Sequence, residues 1–291
     1  MSVLVPAQGP VFRPPPGACD CHMHIYGPPE MYPPAPNSPF PPVAGGDIAA
    51  YLKTREVLGL TRAVVVQPSV YGFDNRATLD AMAVLGADAR GVAVVPPDVS
   101  DAEIDRLTRL GIRGIRFFMI GGGLLGWDDL ETLAAKTAAF GWHVQMQMDG
   151  RRLHEVEERL ARLPGGLVID HNGKFLEPVG LDHPGFAALR RLIDNGRTWV
   201  KTSGVYETSR IGAPDYPDVA ALARALIAHA PERCLFATNW PHPSKPDSPP
   251  DDAGLIDLFR DWCGGDAVAK RIMVDNAAEL YEFPSLTGTG Q

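Results

Sequence analysis

The chain has 291 residues, 45% hydrophobic and 21% charged, a globular mix that excludes disordered and fibrous classes. A net charge of -8 and a sequence pI near 5.5 argue against nucleic-acid or anionic-membrane partners, so an acidic ligand must be drawn in by local cations. Mean hydropathy is -0.07 and no apolar run reaches about 18 residues, so no membrane span is expected.

The chain opens Met-Ser-Val-Leu-Val-Pro, without the basic and apolar regions of a secretory leader. Cys19, Cys21, Cys234 and Cys263 are too few and too scattered for a disulfide scaffold and read as small buried hydrophobes. A reducing, cytoplasmic setting is the expectation.

In chain order, the first apolar run, Ala18–His22, reads as a strand, and helix Asp47–Leu58 follows it. Strand Arg62–Gln67 precedes helix Asn75–Leu85, and strand Gly91–Val95 precedes helix Asp101–Leu110. Ser100 and Asp101, with Glu103 behind them, supply that helix's start signal. Ile112–Phe117 leads to helix Trp127–Phe140, where Asp128 and Glu131 mark the start, and Trp142–Gln147 leads to Arg151–Leu163. The last three pairs are Leu167–His171 with Pro184–Asn195, Trp199–Thr202 with Pro217–His229, and Cys234–Thr238 with Asp252–Cys263. Continuous apolar strands alternating with amphipathic helices imply a parallel sheet buried on both faces, and eight such units are the count of a (β/α)8 TIM barrel. A doubly wound open sheet is the alternative, but no G-x-G-x-x-G follows the first strand. Proline-rich stretches at 28–42 and 241–250 cannot be regular helix or central strand. They do not separate regions of different composition, so 1–291 reads as one domain with two long loops at one end of the barrel.

Barrel enzymes carry their chemistry at the carboxyl ends of the strands. Polar residues collect there: Asp20, His22 and His24 on the first strand, Ser69 after the second, Arg116 on the fourth, and Gln145 and Gln147 on the fifth. Asp170, His171 and Lys174 follow on the sixth, Lys201 and Ser203 on the seventh, and Asn239 and His242 after the eighth. His22 and His24, two apart on a strand, share a face, so two imidazoles can converge on one metal ion or one substrate oxygen. The blander reading is a pair of hydrogen-bonded core histidines; a third histidine at another strand end weighs against it. His143 falls at the amino end of its strand and His154, His183 and His229 on helices or helix starts, and these four read as structural.

The runs D-C-H-M-H-I-Y-G, G-I-R-F, V-I-D-H-N-G-K and T-N-W-P-H-P resemble the amidohydrolase superfamily, and within it the subgroup of 2-pyrone-4,6-dicarboxylate lactonase and its sugar-lactone relatives. The resemblance covers nearly the whole chain. It implies an enzyme acting on lactones without a required metal or other cofactor. It also implies a general-base aspartate after the eighth strand, where this chain has Asn239, which has no carboxylate to take a proton. The lactonase's further arginines are largely unmatched, since Met119–Gly123 follows Arg116 and Glu207 occupies the region of another. Gln147 stands where the lactonase has a tyrosine. A planar dianionic pyrone is therefore disfavoured as substrate.

Without a base for water, His22, His24 and His171 can still polarise a lactone carbonyl, and a hydroxyl of the substrate can serve as nucleophile at high effective molarity. The resulting expectation is an isomerase that converts an aldaric 1,5-lactone to the 1,4-lactone by intramolecular acyl transfer. Galactaric stereochemistry and a place in hexuronate catabolism rest on the resemblance alone. Its catalytic residues would be His22, His24, His171 and Asn239. Arg116 would take the free carboxylate, or else form a buried ion pair with Asp20 or Asp170. Ser69, Gln147, Lys174, Ser203, Tyr206 and His242 would be substrate-binding by position, with a solvated loop lysine as the other reading of Lys174. Any divalent ion such as zinc would bind His22, His24 and His171 adventitiously. The alternatives are a lactone hydrolase, a metal-dependent decarboxylase, a non-catalytic sugar-acid-binding barrel, or an engineered Asn239 in place of a natural aspartate. The barrel surface gives no signal for or against a homo-oligomer.

Overall fold

The computed structural model describes residues 4–36 and 38–284, so the first three residues of the opening run and 285–291 lie outside it. Eight parallel strands follow one another in sequence order around the sheet. They are β1 (Cys19–Met23), β2 (Arg62–Val66), β3 (Ala89–Ala93), β4 (Ile112–Phe118), β5 (His143–Gln147), β6 (Leu167–Ile169), β7 (Thr198–Thr202) and β8 (Cys234–Phe236). Helices α1 (Ile48–Leu58), α2 (Arg76–Leu85), α3 (Asp101–Arg109), α4 (Leu130–Ala138), α5 (Leu153–Ala161), α6 (Pro184–Asp194), α7 (Pro217–His229) and α8 (Asp252–Cys263) cover the outside. This is the (β/α)8 barrel expected from the strand count. No described helix is long and apolar enough to cross a membrane.

Local signals fix the helix ends. Asp47 accepts from the Ala50 amide at the start of α1, and Gly59 in the left-handed region closes that helix. Ser100 accepts from the Glu103 amide, as its spacing suggested. Ahead of α4, by contrast, it is Asp129 that takes the Gly126 amide, and a 3-10 turn over Trp127–Asp129 delays the helix. Gly185, in the first turn of α6, is required by close approach: a Cβ there would lie 2.1 Å from the Gly150 carbonyl oxygen. That backbone contact presses α6 onto the loop after β5.

The sheet closes between its first and last strands through one carboxylate. Asp20 Oδ1 accepts from the amides of His22 (3.1 Å) and Thr238 (2.9 Å), while Oδ2 accepts from the hydroxyls of Thr238 (2.6 Å) and Tyr51 (3.2 Å). Above this clamp the Asn239 amide donates to the His22 carbonyl and the His24 amide to the Trp240 carbonyl, so site residues and barrel seam are the same segment. Burial pushes the Asp20 carboxyl up to about 6, against the donors from Thr238 and His22 that favour its charged form.

Simple alternation along β1 would put Cys21 and His22 on opposite faces. Instead Asp20 pairs with Ala63 and Met23 with Val65, so three steps on β1 match two on β2. This bulge lets Cys21 join the inner apolar cluster with Val64, Val66, Val168, Trp199 and Leu235, while His22 also turns inward to Gln145 and Lys201. Asp20, two residues before His22 and so on the histidine face by simple alternation, points out to Tyr51 instead. The chain also continues past the last expected helix: α9 (Asp266–Lys270), a π-helical turn and α10 (Asn276–Tyr281) bring Tyr281 under the barrel, edge-on to His143 at 5.3 Å.

Asp20→Ala would leave four donors at the seam without their acceptor. A loss of at least about 3 kcal/mol in unfolding free energy is expected, and denaturant titration showing less than about 1 kcal/mol would mean that closure does not depend on this carboxylate.

Candidate active site

Three tiers fill the barrel from amino to carboxyl end. Apolar Val64, Val168, Trp199 and Leu235 form the floor. Two residues beyond Val168 and Trp199 come Asp170 and Lys201, with Gln145 of β5 bonded to both, all fully buried. Above them opens a cavity of about 270 Å³ lined by His24, Arg116, Gln147, His171, Lys174, Glu207 and Asn239, with Tyr26, Val70, Phe40 and Phe118 as apolar walls. Ser69 lines it from the loop after β2. Pro41 from the first proline-rich stretch and Pro243 and Ser244 from the second border it too.

The expected catalytic residues are brought together, although not all face the cavity. His22 and His24 meet Nε2 to Nε2 at 3.2 Å, and the His22 and His171 rings lie 4.8 Å apart. His22 is fully buried beneath the other two and does not line the cavity. β6 ends at Ile169 rather than His171, and His171 follows in a tight turn at φ 54°. Its Nδ1 is held by Ser203 Oγ at 2.9 Å, and Gly204 leaves room for the ring, since a Cβ there would lie 2.9 Å from that nitrogen at φ +68°. Non-glycine residues at positive φ concentrate in the two loops of this site: His171, Asn172 and Lys174 after β6, and Asn239 and His242 after β8. Each such conformer costs of order 1–3 kcal/mol and persists only where its surroundings hold it.

Three residues expected to touch substrate stand behind the wall instead. Ser203 serves His171, as above. Tyr206 Oη accepts from Asn239 Nδ2 at 2.8 Å and lies 2.9 Å from His242 Nδ1, whose Nε2 meets Asp252 Oδ2 at 3.1 Å. This chain from α8 to Asn239 turns the amide so that its Oδ1 is left for the cavity. Such an oxygen accepts a hydrogen bond but takes no proton. Lys174 is not a solvated loop lysine: it is buried in an ion pair with Glu207. Arg116 forms no ion pair with Asp20 or Asp170. It donates to the Gln67 carbonyl (2.8 Å) and Gln147 Oε1 (3.2 Å), and its Nε–H has no partner.

The electrostatics keep the imidazoles neutral. Burial, then Arg116, lowers His24 to about 3, and burial lowers His171 to about 3 despite Asp170 nearby. Burial and then Lys201 push His22 well below the usual imidazole range. Burial alone would raise Asp170, but Lys201, His171 and Arg116 outweigh it and hold its carboxyl below the ordinary value.

Lys201 and Gln145 are the functional neighbours that strand-end reading left without a role. Lys201 Nζ donates to Gln145 Oε1 at 2.6 Å and lies 3.2 Å from His22 Nδ1 and 3.4 Å from Asp170 Oδ1. Their signal was spacing: Lys201 is two residues beyond inward-facing Trp199 on a strand buried on both faces. The ligand atoms of His22, Asp170 and His171 come within 4.8 Å of one another, close enough for an ion. The donor set nevertheless does not fit a divalent metal. An ammonium already neutralises Asp170 at that gap, and Asn239 brings no charge at the mouth.

A family model described as Amidohydrolase matches residues 19–283, and the chain belongs to that family. It is 36% identical over 286 residues to D-galactarolactone isomerase of Agrobacterium fabrum, covering 97% of this chain and 96% of the relative. It is 34% identical over 282 residues to 2-pyrone-4,6-dicarboxylate hydrolase of Comamonas testosteroni, covering 94% and 92%. Among solved structures, an Agrobacterium tumefaciens protein in its apo form superposes with a TM-score of 0.89 at 35% identity, over 97% of this chain and 99% of that one.

Neutral buried histidines tie stability to pH with a definite sign. His24, His143 and His171 fall to about 3 and His22 falls well below its ordinary 6.5, so between roughly 3 and 6.5 the unfolded chain binds protons that the folded chain refuses. Stability is therefore lost as pH drops through that window. Asp20, raised to about 6 from 3.8, acts oppositely but alone. The thermal midpoint should be lower at about pH 5 than at about pH 7; a flat or rising midpoint on acidification would refute neutral burial of the cluster.

Proposed function

We propose that this chain is a sugar-acid lactone isomerase, converting an aldaric 1,5-lactone of the galactaric type to the 1,4-lactone by intramolecular acyl transfer, in hexuronate catabolism. The observation that carries the reading is the state of the carboxylates. Among the described residues the cavity holds only Glu207, and that is tied to Lys174, while Asn239 presents an amide oxygen at the end of β8. Among the described residues no free carboxylate lines the cavity to activate water. The name of the Agrobacterium fabrum relative supports the same substrate class.

In this reading the substrate's own O4 hydroxyl attacks C1. The C1–O4 bond forms, the C1–O5 bond breaks, and the proton passes from O4 to O5, so neither water nor net charge enters. His171, neutral and open to the cavity at Nε2, carries that proton. Its weak basicity suits transfer in concert with C–O bond formation, when the hydroxyl has become acidic. Asn239 Oδ1 accepts from a ring hydroxyl and orients it. Arg116, which lines the cavity with its guanidinium braced by the Gln67 carbonyl and Gln147, takes the free carboxylate. Among the described residues of the lining Lys174 and Glu207 cancel, leaving Arg116 as the one uncompensated charge, and an aldaric monolactone carries one carboxylate. Ser69 and Gln147 contribute hydroxyl partners. Four buried free cysteines support a reducing, cytoplasmic setting.

Hydrolysis is the second reading, favoured by the Comamonas testosteroni relative's name and by the presence of Glu207 in the cavity. Carbon NMR of a fresh aldaric 1,5-lactone in oxygen-18 water separates the two. The 1,4-lactone should appear first and unlabelled; labelled open-chain acid as first product would make the enzyme a hydrolase. Asn239→Asp should add labelled acid to the products of the same assay.

Charge matching has its own test. Glu207→Gln frees Lys174 to meet a second anion, so inhibition by dicarboxylates should tighten roughly tenfold, worth ~1.4 kcal/mol. Unchanged or weaker inhibition would show that the ion pair does not set substrate charge.

A further inference from the structure

The ring nitrogens of the histidine cluster have their proton positions dictated from both ends. At one end His24 Nδ1 lies 2.7 Å from the Val66 carbonyl, which only accepts, so that nitrogen carries the proton and Nε2 of neutral His24 is bare. At the other end Lys201, with three N–H donors and no acceptor, fixes Gln145: its Oε1 takes the ammonium at 2.6 Å, so its amide nitrogen faces Asp170 Oδ2 at 3.1 Å and His22 Nδ1 at 3.4 Å. His22 Nδ1 thus meets two donors, Lys201 Nζ at 3.2 Å and Gln145 Nε2. Asp170 Oδ1 sits 3.3 Å away, yet it makes no hydrogen bond to the ring. Nδ1 of His22 is therefore the acceptor, and its proton resides on Nε2, aimed at bare His24 Nε2.

We infer that Lys201 is a positioning residue that locks His22 as a neutral Nε2–H donor, converting a histidine pair with metal-binding spacing into a hydrogen-bonding device. A metal-binding pair needs both Nε2 atoms bare, and His22 would then have to carry its proton on Nδ1, where Lys201 and Gln145 leave no acceptor in line. The donor ends on His24 Nε2, and His24 lines the cavity, so the lock sets the hydrogen-bonding state of the ring that meets the lactone. That last role rests on the acyl-transfer reading; the tautomer and the metal preference do not.

Long-range nitrogen-15 NMR of the intact enzyme, with the His22 signals assigned by their loss in His22→Gln, tests the lock directly. A bare Nδ1 with a protonated Nε2 is expected, and a protonated Nδ1 in the wild-type protein would overturn the inference. Lys201→Met should move the His22 proton to Nδ1, against the freed Asp170. After incubation with zinc sulfate and desalting, this variant should retain close to one equivalent of zinc, where the wild type retains far less. An unchanged tautomer or equal zinc retention in the variant would also refute the lock. If Lys201→Met fails to fold, the wild-type spectrum alone decides. Loss of the donor should lower kcat by about 10²–10³ with little change in KM; a normal spectral switch with unaltered turnover would count against the acyl-transfer reading and leave the lock standing.

Discussion

The buried carboxylate of Asp20 is the constraint on which the rest of the molecule hangs. A barrel exists only if its first and last strands meet, and the short β8 offers few backbone groups for that purpose. Asp20 supplies the missing acceptors, gathering donors from β1, α1 and the segment after β8. Once it is in place, the backbone of His22 and His24 is bonded directly to Asn239 and Trp240. Site geometry is thus a by-product of closure. A buried carboxylate with four donors costs less than an uncompensated one, and the strain in the loops above is held by the same seam.

A second economy lies in the middle tier. Lys201 and Asp170 are fully buried, a combination that costs desolvation on both partners and is weak evidence for stability. Here the pair sits directly below imidazoles that are kept neutral, with Gln145 bridging them. Its physical effect is to give the cavity floor a fixed pattern of donors and acceptors without a net charge. Above this neutral floor the charged side chains among the described residues of the lining are Arg116, Lys174 and Glu207.

Much of this was legible in the sequence because barrel geometry converts position along a strand into position in the site. His22, His24, Arg116, His171 and Asn239 were found as polar residues at the ends of otherwise apolar runs, and they do converge. The bulge in β1 was not legible, since one extra residue in a strand leaves no compositional mark, and so Asp20 was placed on the wrong face. Lys201 was visible but unassigned, because a lysine near a strand end ordinarily reaches solvent. Ser203, Tyr206 and His242 were placed a layer too near the substrate. Strand-end position does not distinguish a residue in the wall from one behind it, and only the hydrogen bonds to His171, Asn239 and Asp252 do so. The closing helices escaped notice because they are short and interrupted by a π-helical turn.

Those closing helices have a consequence for how the molecule is made. Arg90 donates to the carbonyls of Tyr281 and Glu282 and, like Arg62, stacks over Phe283, so the end of the described chain stoppers the amino end of the barrel. The seam, too, joins residues 218 positions apart. During synthesis the early strands emerge first, yet their closing partner lies 218 positions further along the chain and their stopper beyond that. Until those residues have emerged, the nascent barrel is an open sheet with an unpaired β1 edge.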